Sequence, residues 1–120
     1  MSLDVYLMKD EVDVVVEKLQ GIEDDRDIYS ANITHNLNTM AEAAGIYKHL
    51  WRPDEIGITH AHQLVEPLKV GLGLLENDPV KFKKFNAPNG WGMYEHFVPF
   101  VRKYLEACEQ NPYAKVEVSR

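Results

Sequence analysis

Apolar residues recur with two different periods along this chain, and the change between them marks out the elements. Leu3, Val5 and Leu7 alternate with Asp4 and Tyr6, which predicts a strand with one face on a core. Val12-Asp-Val14-Val-Val16 is dense in β-branched residues and predicts a second strand, joined to the first through a turn near Lys9-Asp10. Val12, Val15, Val16 and Leu19 also fit a helical face. Gly21 and Glu23-Asp24-Asp25 form a loop, followed by a short strand around Ile28 to Ala31. From there the spacing turns helical. At about 100° per residue, Ile33, Leu37, Met40, Ala44, Tyr47 and Trp51 fall on one side. A second row holds Asn32, His35, Asn36 and Thr39 and becomes apolar at Ala43, Ile46 and Leu50. Only Asn38, Glu42, Gly45 and His49 remain on a solvated stripe. This predicts one long central helix, capped by Asn32 or Thr34 and ended at Trp51-Arg52-Pro53.

Thr59 is the expected cap of the next helix, with Leu64, Leu68, Leu72 and Leu75 as its apolar set. Pro67 should kink or split it, and Gly71 and Gly73 weaken it or allow close packing. Asp78-Pro79 predicts an N-cap followed by proline at the first helical position, opening a short helix through Lys84 anchored by Phe82 and Phe85. Asn86-Ala-Pro88-Asn89-Gly90-Trp91-Gly92 is the most turn-rich stretch. The last helix spans Met93 to Gln110, with Tyr94, Phe97, Val98, Val101, Leu105 and Cys108 inward and Pro99 on the solvent side. Lys115-Val116-Glu117-Val118-Ser119 alternates as a final strand. Strands at both ends with helices between them predict an α+β fold. It is a small mixed or antiparallel sheet of N-terminal strands and the C-terminal strand, covered by about four helices.

Composition narrows the function classes. The chain has 120 residues, enough for a single domain spanning 1–120 with an ordinary core. At 45% apolar and 27% charged it has the balance of a globular protein. No stretch reaches the ~18 apolar residues of a membrane span, so no membrane partner is expected. The net charge of −6 argues against nucleic acid as a partner. Acids cluster from Asp10 to Glu17 and from Glu23 to Asp27, as a solvated face or a docking surface for a basic partner. One cysteine excludes an internal disulfide framework, and the start carries an acid rather than a basic leader. The cytoplasm is the expected location.

Candidate chemistry centres on Asn32, His35 and Asn36. Imidazole and carboxamide groups both donate and accept, and suit a small polar ligand, an anion or a bound water. Structural duty is the competing role, with Asn32 capping the helix and His35 satisfying backbone groups. Nothing nearby supplies a nucleophile with an oriented base. His60 and His62, two apart, share a side only in an extended segment, and with His35 would need tertiary folding to make a metal site; no metal or cofactor is expected. Trp91 between two glycines is either a ligand-stacking lid or a plug over the core. Tyr94 should bring its hydroxyl inward, and with Trp91 and His35 would complete a pocket. Cys108 reads as a small core residue. Lys81, Lys83 and Lys84 form a local basic patch.

Asn32-Ile-Thr-His-Asn-Leu37, Leu50-Trp-Arg-Pro53, Asn89-Gly-Trp-Gly92 with Tyr94-Glu95, and Val116-Glu-Val-Ser-Arg120 also carry a resemblance. The chain resembles a family of small uncharacterised proteins of bacteria, phages and mobile gene cassettes. The likeness runs from about Tyr29 to the end and includes the first strand. Members often carry a longer insert before the Tyr29 segment. The resemblance implies no activity, so the expectation is built on the residues. It is a non-enzymatic binding or interaction module with a polar-lined pocket at Asn32, His35, Asn36, Trp91 and Tyr94. The alternatives are a small enzyme using His35 as general acid/base, or a structural protein that pairs with a partner or with itself as a homodimer.

Overall fold

The computed structural model describes residues 2–9 and 27–120. The expected strand at Val12–Val16 and most of the acidic runs lie outside them. Among the described residues three strands form one antiparallel sheet in the order β2-β1-β3: β1 is Ser2–Met8, β2 Asp27–Thr34 and β3 Lys115–Ser119. The predicted alternation in β1 is realised, since Leu3, Val5 and Leu7 are fully buried. Register carries that face across the sheet. Leu3 pairs with Ile33, and Val5 with Ala31 on one side and Val118 on the other. The fold is α+β as expected.

The long central helix does not form. β2 runs on to Thr34, a 3-10 turn covers His35–Leu37, and two short helices follow, α1 (Asn38–Ala43) and α2 (Tyr47–Trp51). Asn32 is therefore a strand residue and caps nothing, whereas the Thr34 hydroxyl accepts from the Asn36 N–H at 3.4 Å. Gly45, at φ 77°, ends α1. The Ile46 N–H reaches the Ala41 carbonyl, and the Gly45 N–H that of Glu42, each at 3.0 Å. This paired closure with a left-handed glycine is the Schellman motif. The apolar stripe survives the break, with Ile33, Leu37, Met40, Ala44 and Trp51 all buried and Tyr47 half-buried.

A 3-10 turn at Pro53–Ile56 leads to α3 (His62–Asn77), which runs through Pro67 as one helix rather than splitting. Thr59 does not cap it by accepting a bond. Instead the Gln63 side-chain oxygen accepts from the backbone N–H groups of Thr59 (2.7 Å) and His60 (3.0 Å). Close packing explains Gly71: a Cβ there would lie 2.5 Å from Ile46 Cγ2. α4 (Pro79–Lys83) begins as expected, with the Asp78 carboxylate accepting from the Lys81 N–H at 3.2 Å. α5 (Tyr94–Gln110) lies against α3 and β2 and buries Phe97, Val101, Tyr104, Leu105 and Cys108. Burial, then Glu109, push the Cys108 thiol up to about 12, so it is a protonated core residue.

Tyr104 is fully buried, and its hydroxyl meets no hydrogen-bond partner among the described residues. Burial first, then the neighbouring Cys108 and Tyr29, push its pKa well above the ordinary tyrosine value. Leaving a buried hydroxyl unpaired costs about 1–3 kcal/mol. Tyr104→Phe keeps the ring stacked 6.0 Å from Tyr29 and is expected to raise stability by about 1 kcal/mol in urea denaturation. A lower midpoint in the variant would show that the hydroxyl has a partner after all.

Candidate functional site: a cleft between the sheet edge and a glycine loop

Where β2 gives way to the 3-10 turn, alternation sends neighbouring side chains in opposite directions. Ile33 goes to the core, while Asn32 takes the other face beside β1. Its amide donates to Ser2 Oγ (2.9 Å) and to its cross-strand neighbour Asp4 Oδ1 (2.7 Å). His35 follows at the first position of the turn, half-buried, with Leu37 anchoring the turn in the core. The Trp51 Nε1–H donates to His35 Nδ1 at 2.8 Å. An indole N–H can only donate, so Nδ1 accepts and the neutral ring carries its proton on Nε2. Trp51 is itself buried and stacks on Tyr47, centroid to centroid 5.6 Å.

Opposite lies the Asn86–Gly92 loop, closed by its own bonds. The Ala87 N–H donates to the Gly92 carbonyl (3.0 Å), and the Trp91 N–H to Asn89 Oδ1 (3.0 Å). Asn86 Oδ1 accepts from the Tyr94 N–H at 2.7 Å, which fixes the loop to the start of α5. The Asn36 amide then ties the loop to the 3-10 turn by donating to the Trp91 carbonyl at 2.7 Å. Gly92 permits that approach. It sits at φ 117°, and a Cβ would fall 2.9 Å from Asn36 Cβ. Backbone held at both ends leaves the Trp91 ring standing out, 70% exposed. It is no core plug.

Between these walls is an open cleft of about 1330 Å³. Asn32, His35, Asn36 and Trp91 all line it, as do Tyr47, Arg52, His96 and Arg120, which sequence reasoning did not single out. No Asp or Glu is among the described residues lining it. Arg52 donates from Nε to the Tyr47 hydroxyl (3.3 Å) and from Nη1 to Glu55 (2.9 Å). Arg120 Nη1 donates to the Trp51 carbonyl at 2.7 Å, satisfying the last carbonyl of α2, and reaches Asp54 at 3.4 Å.

Four of the five predicted residues thus share one site. Tyr94 does not: its hydroxyl donates to the Leu75 carbonyl on α3 at 2.8 Å, and it lines none of the cleft. His60 and His62 stack on one another, centroids 6.1 Å apart. No group of three or more His, Cys, Asp or Glu among the described residues is placed to hold a metal ion. No described helix is long and apolar enough to cross a membrane. The signal for Arg120 lay in register. Ser119 pairs with Asp4, and Ser2 with Thr34, so the residue after Ser119 lies at the same end of the sheet as the end of β2, across the central strand β1. Compared with family models, curated proteins and solved structures, the chain matches none of them.

Proposed function

We propose that the chain is a non-enzymatic binding module that holds a small polar ligand in this cleft. The observation that carries the reading is the Trp51–His35 bond at the cleft wall. A general base must offer its substrate a lone pair. In the neutral His35 ring that lone pair is on Nδ1, already taken by the indole N–H, and what remains is a donor. With no Asp or Glu side chain among the described residues lining the cleft to orient or relay a proton, the ring is better suited to recognition than to proton abstraction. A fixed donor, an amide already tethered and an exposed aromatic ring make a few placed polar groups on a preformed surface.

A thermal-shift screen of small polar compounds against wild type, His35→Ala and Asn36→Ala tests this. A ligand at about a hundred times its Kd adds about 2.7 kcal/mol of stability, a shift of several degrees. Hits are expected to shift wild type and to lose most of that shift in both variants. Equal stabilisation of all three proteins by every hit would remove the cleft from consideration.

A further inference from the structure

We infer that the ligand of this cleft is an anion on a flat ring, a phosphate or carboxylate carried by an aromatic or heteroaromatic body; the inference rests on the binding reading above. The chain as a whole is acidic, at −6, so an anion meets repulsion over much of its surface. The cleft inverts that balance. Two guanidiniums line it, and no Asp or Glu side chain of the described residues does.

Their acidic partners do not cancel them for this purpose. Glu55 and Asp54 each engage one terminal nitrogen, Nη1 of Arg52 and Nη1 of Arg120, and neither carboxylate lines the cleft. The other terminal nitrogen of each arginine makes no bond among the described residues, so each guanidinium keeps donors for a ligand oxygen. Held by the Tyr47 hydroxyl on one side and the Trp51 carbonyl on the other, both are positioned before any ligand arrives. His35 adds a further donor, since its acceptor nitrogen is occupied. A surface rich in fixed donors selects a group made of acceptors.

The ring requirement comes from Trp91. A large indole left exposed on a backbone held at N–H and carbonyl alike is anchored at its base and offers its faces for stacking. It faces the same cleft as the arginines. One molecule that satisfies both needs an aromatic plane and an oxyanion.

Isothermal titration with two charged probes and their neutral twins decides it: adenosine 5′-monophosphate against adenosine, and indole-3-acetate against indole-3-acetamide, with inorganic phosphate alone as a fifth arm. At least one charged probe is expected to bind tenfold or more tighter than its twin and than phosphate. Arg120→Gln and Arg52→Gln should each weaken it tenfold or more, and Trp91→Ala, at an exposed position, should weaken it without loss of fold. Which charged probe wins separates phosphate from carboxylate. Neutral twins binding as tightly as the anions would overturn the charge assignment and leave the binding reading intact. No saturable heat with either charged probe would overturn the inference, whereas the binding reading falls only with the variant screen above.

Discussion

Replacing Trp51 with alanine is expected to cost about 3–5 kcal/mol, the usual range for removing a large buried aromatic ring. Three separate supports go at once. The ring is buried in the core and stacked on Tyr47, and its N–H fixes His35. Burial dominates, because a single hydrogen bond contributes only about 1 kcal/mol net. Trp51→Phe separates the terms. It keeps an aromatic ring and loses the N–H, so its stability loss should be well under half that of the alanine variant. His35 is half-buried, and water can replace the lost donor there. The two variants should nevertheless resemble each other in ligand response, since both release the imidazole. Urea midpoints and thermal shifts on the two proteins check both halves. A phenylalanine variant as unstable as the alanine one would mean that the hydrogen bond, not the ring, holds this corner together.

How much of this was legible beforehand follows from the range of the interactions involved. β1, β3 and the Asp78-Pro79 start of α4 are written in residues a few positions apart, and the structure keeps them. The central helix failed because two periods coincide. Tyr29, Ala31 and Ile33 alternate as a strand, while Ile33, Leu37 and Met40 also fall on a helical face. Pairing of Ile33 with Leu3 decides between them, and that partner is distant in sequence. Gly45 falls on the solvated stripe of the helical pattern, yet it is the left-handed terminus of α1. Because the buried stripe continues through α2, hydrophobic spacing alone could not reveal the break.

The site was half legible for a related reason. Asn32, His35 and Asn36 stood out as polar groups in an apolar neighbourhood, and Trp91 as an aromatic between glycines. What joins them is not in their local pattern. Asn36 reaches Trp91 across 55 residues, and Arg120 reaches Trp51 across 69. Helical spacing predicts Tyr94 inward, and it is partly buried against the core, but its hydroxyl turns towards α3 rather than the cleft. Helical spacing fixes which side of a helix a residue takes, and not which neighbour occupies that side.

The glycine loop offers the second large effect, and a control within the same four residues. Gly90 and Gly92 both have positive φ, 79° and 117°, but their surroundings differ. A Cβ at Gly90 meets nothing within 4 Å, so Gly90→Ala should cost only the left-handed backbone penalty, about 1 kcal/mol. A Cβ at Gly92 adds contact with Asn36 at 2.9 Å from its Cβ and 3.4 Å from its carbonyl carbon. Neither is the free end of a flexible side chain, so backbone has to move, which adds about 1–2 kcal/mol of overpacking. Gly92→Ala is therefore expected to lose about 2–3 kcal/mol in urea denaturation. The movement it forces also draws the Trp91 carbonyl off the Asn36 amide, a bond that Gly90→Ala leaves in place. Ligand-induced stabilisation should consequently fall in the Gly92 variant and persist in the Gly90 variant. Equal losses in both, in stability and in ligand response alike, would mean that the loop does not need to lie against the 3-10 turn for the cleft to work.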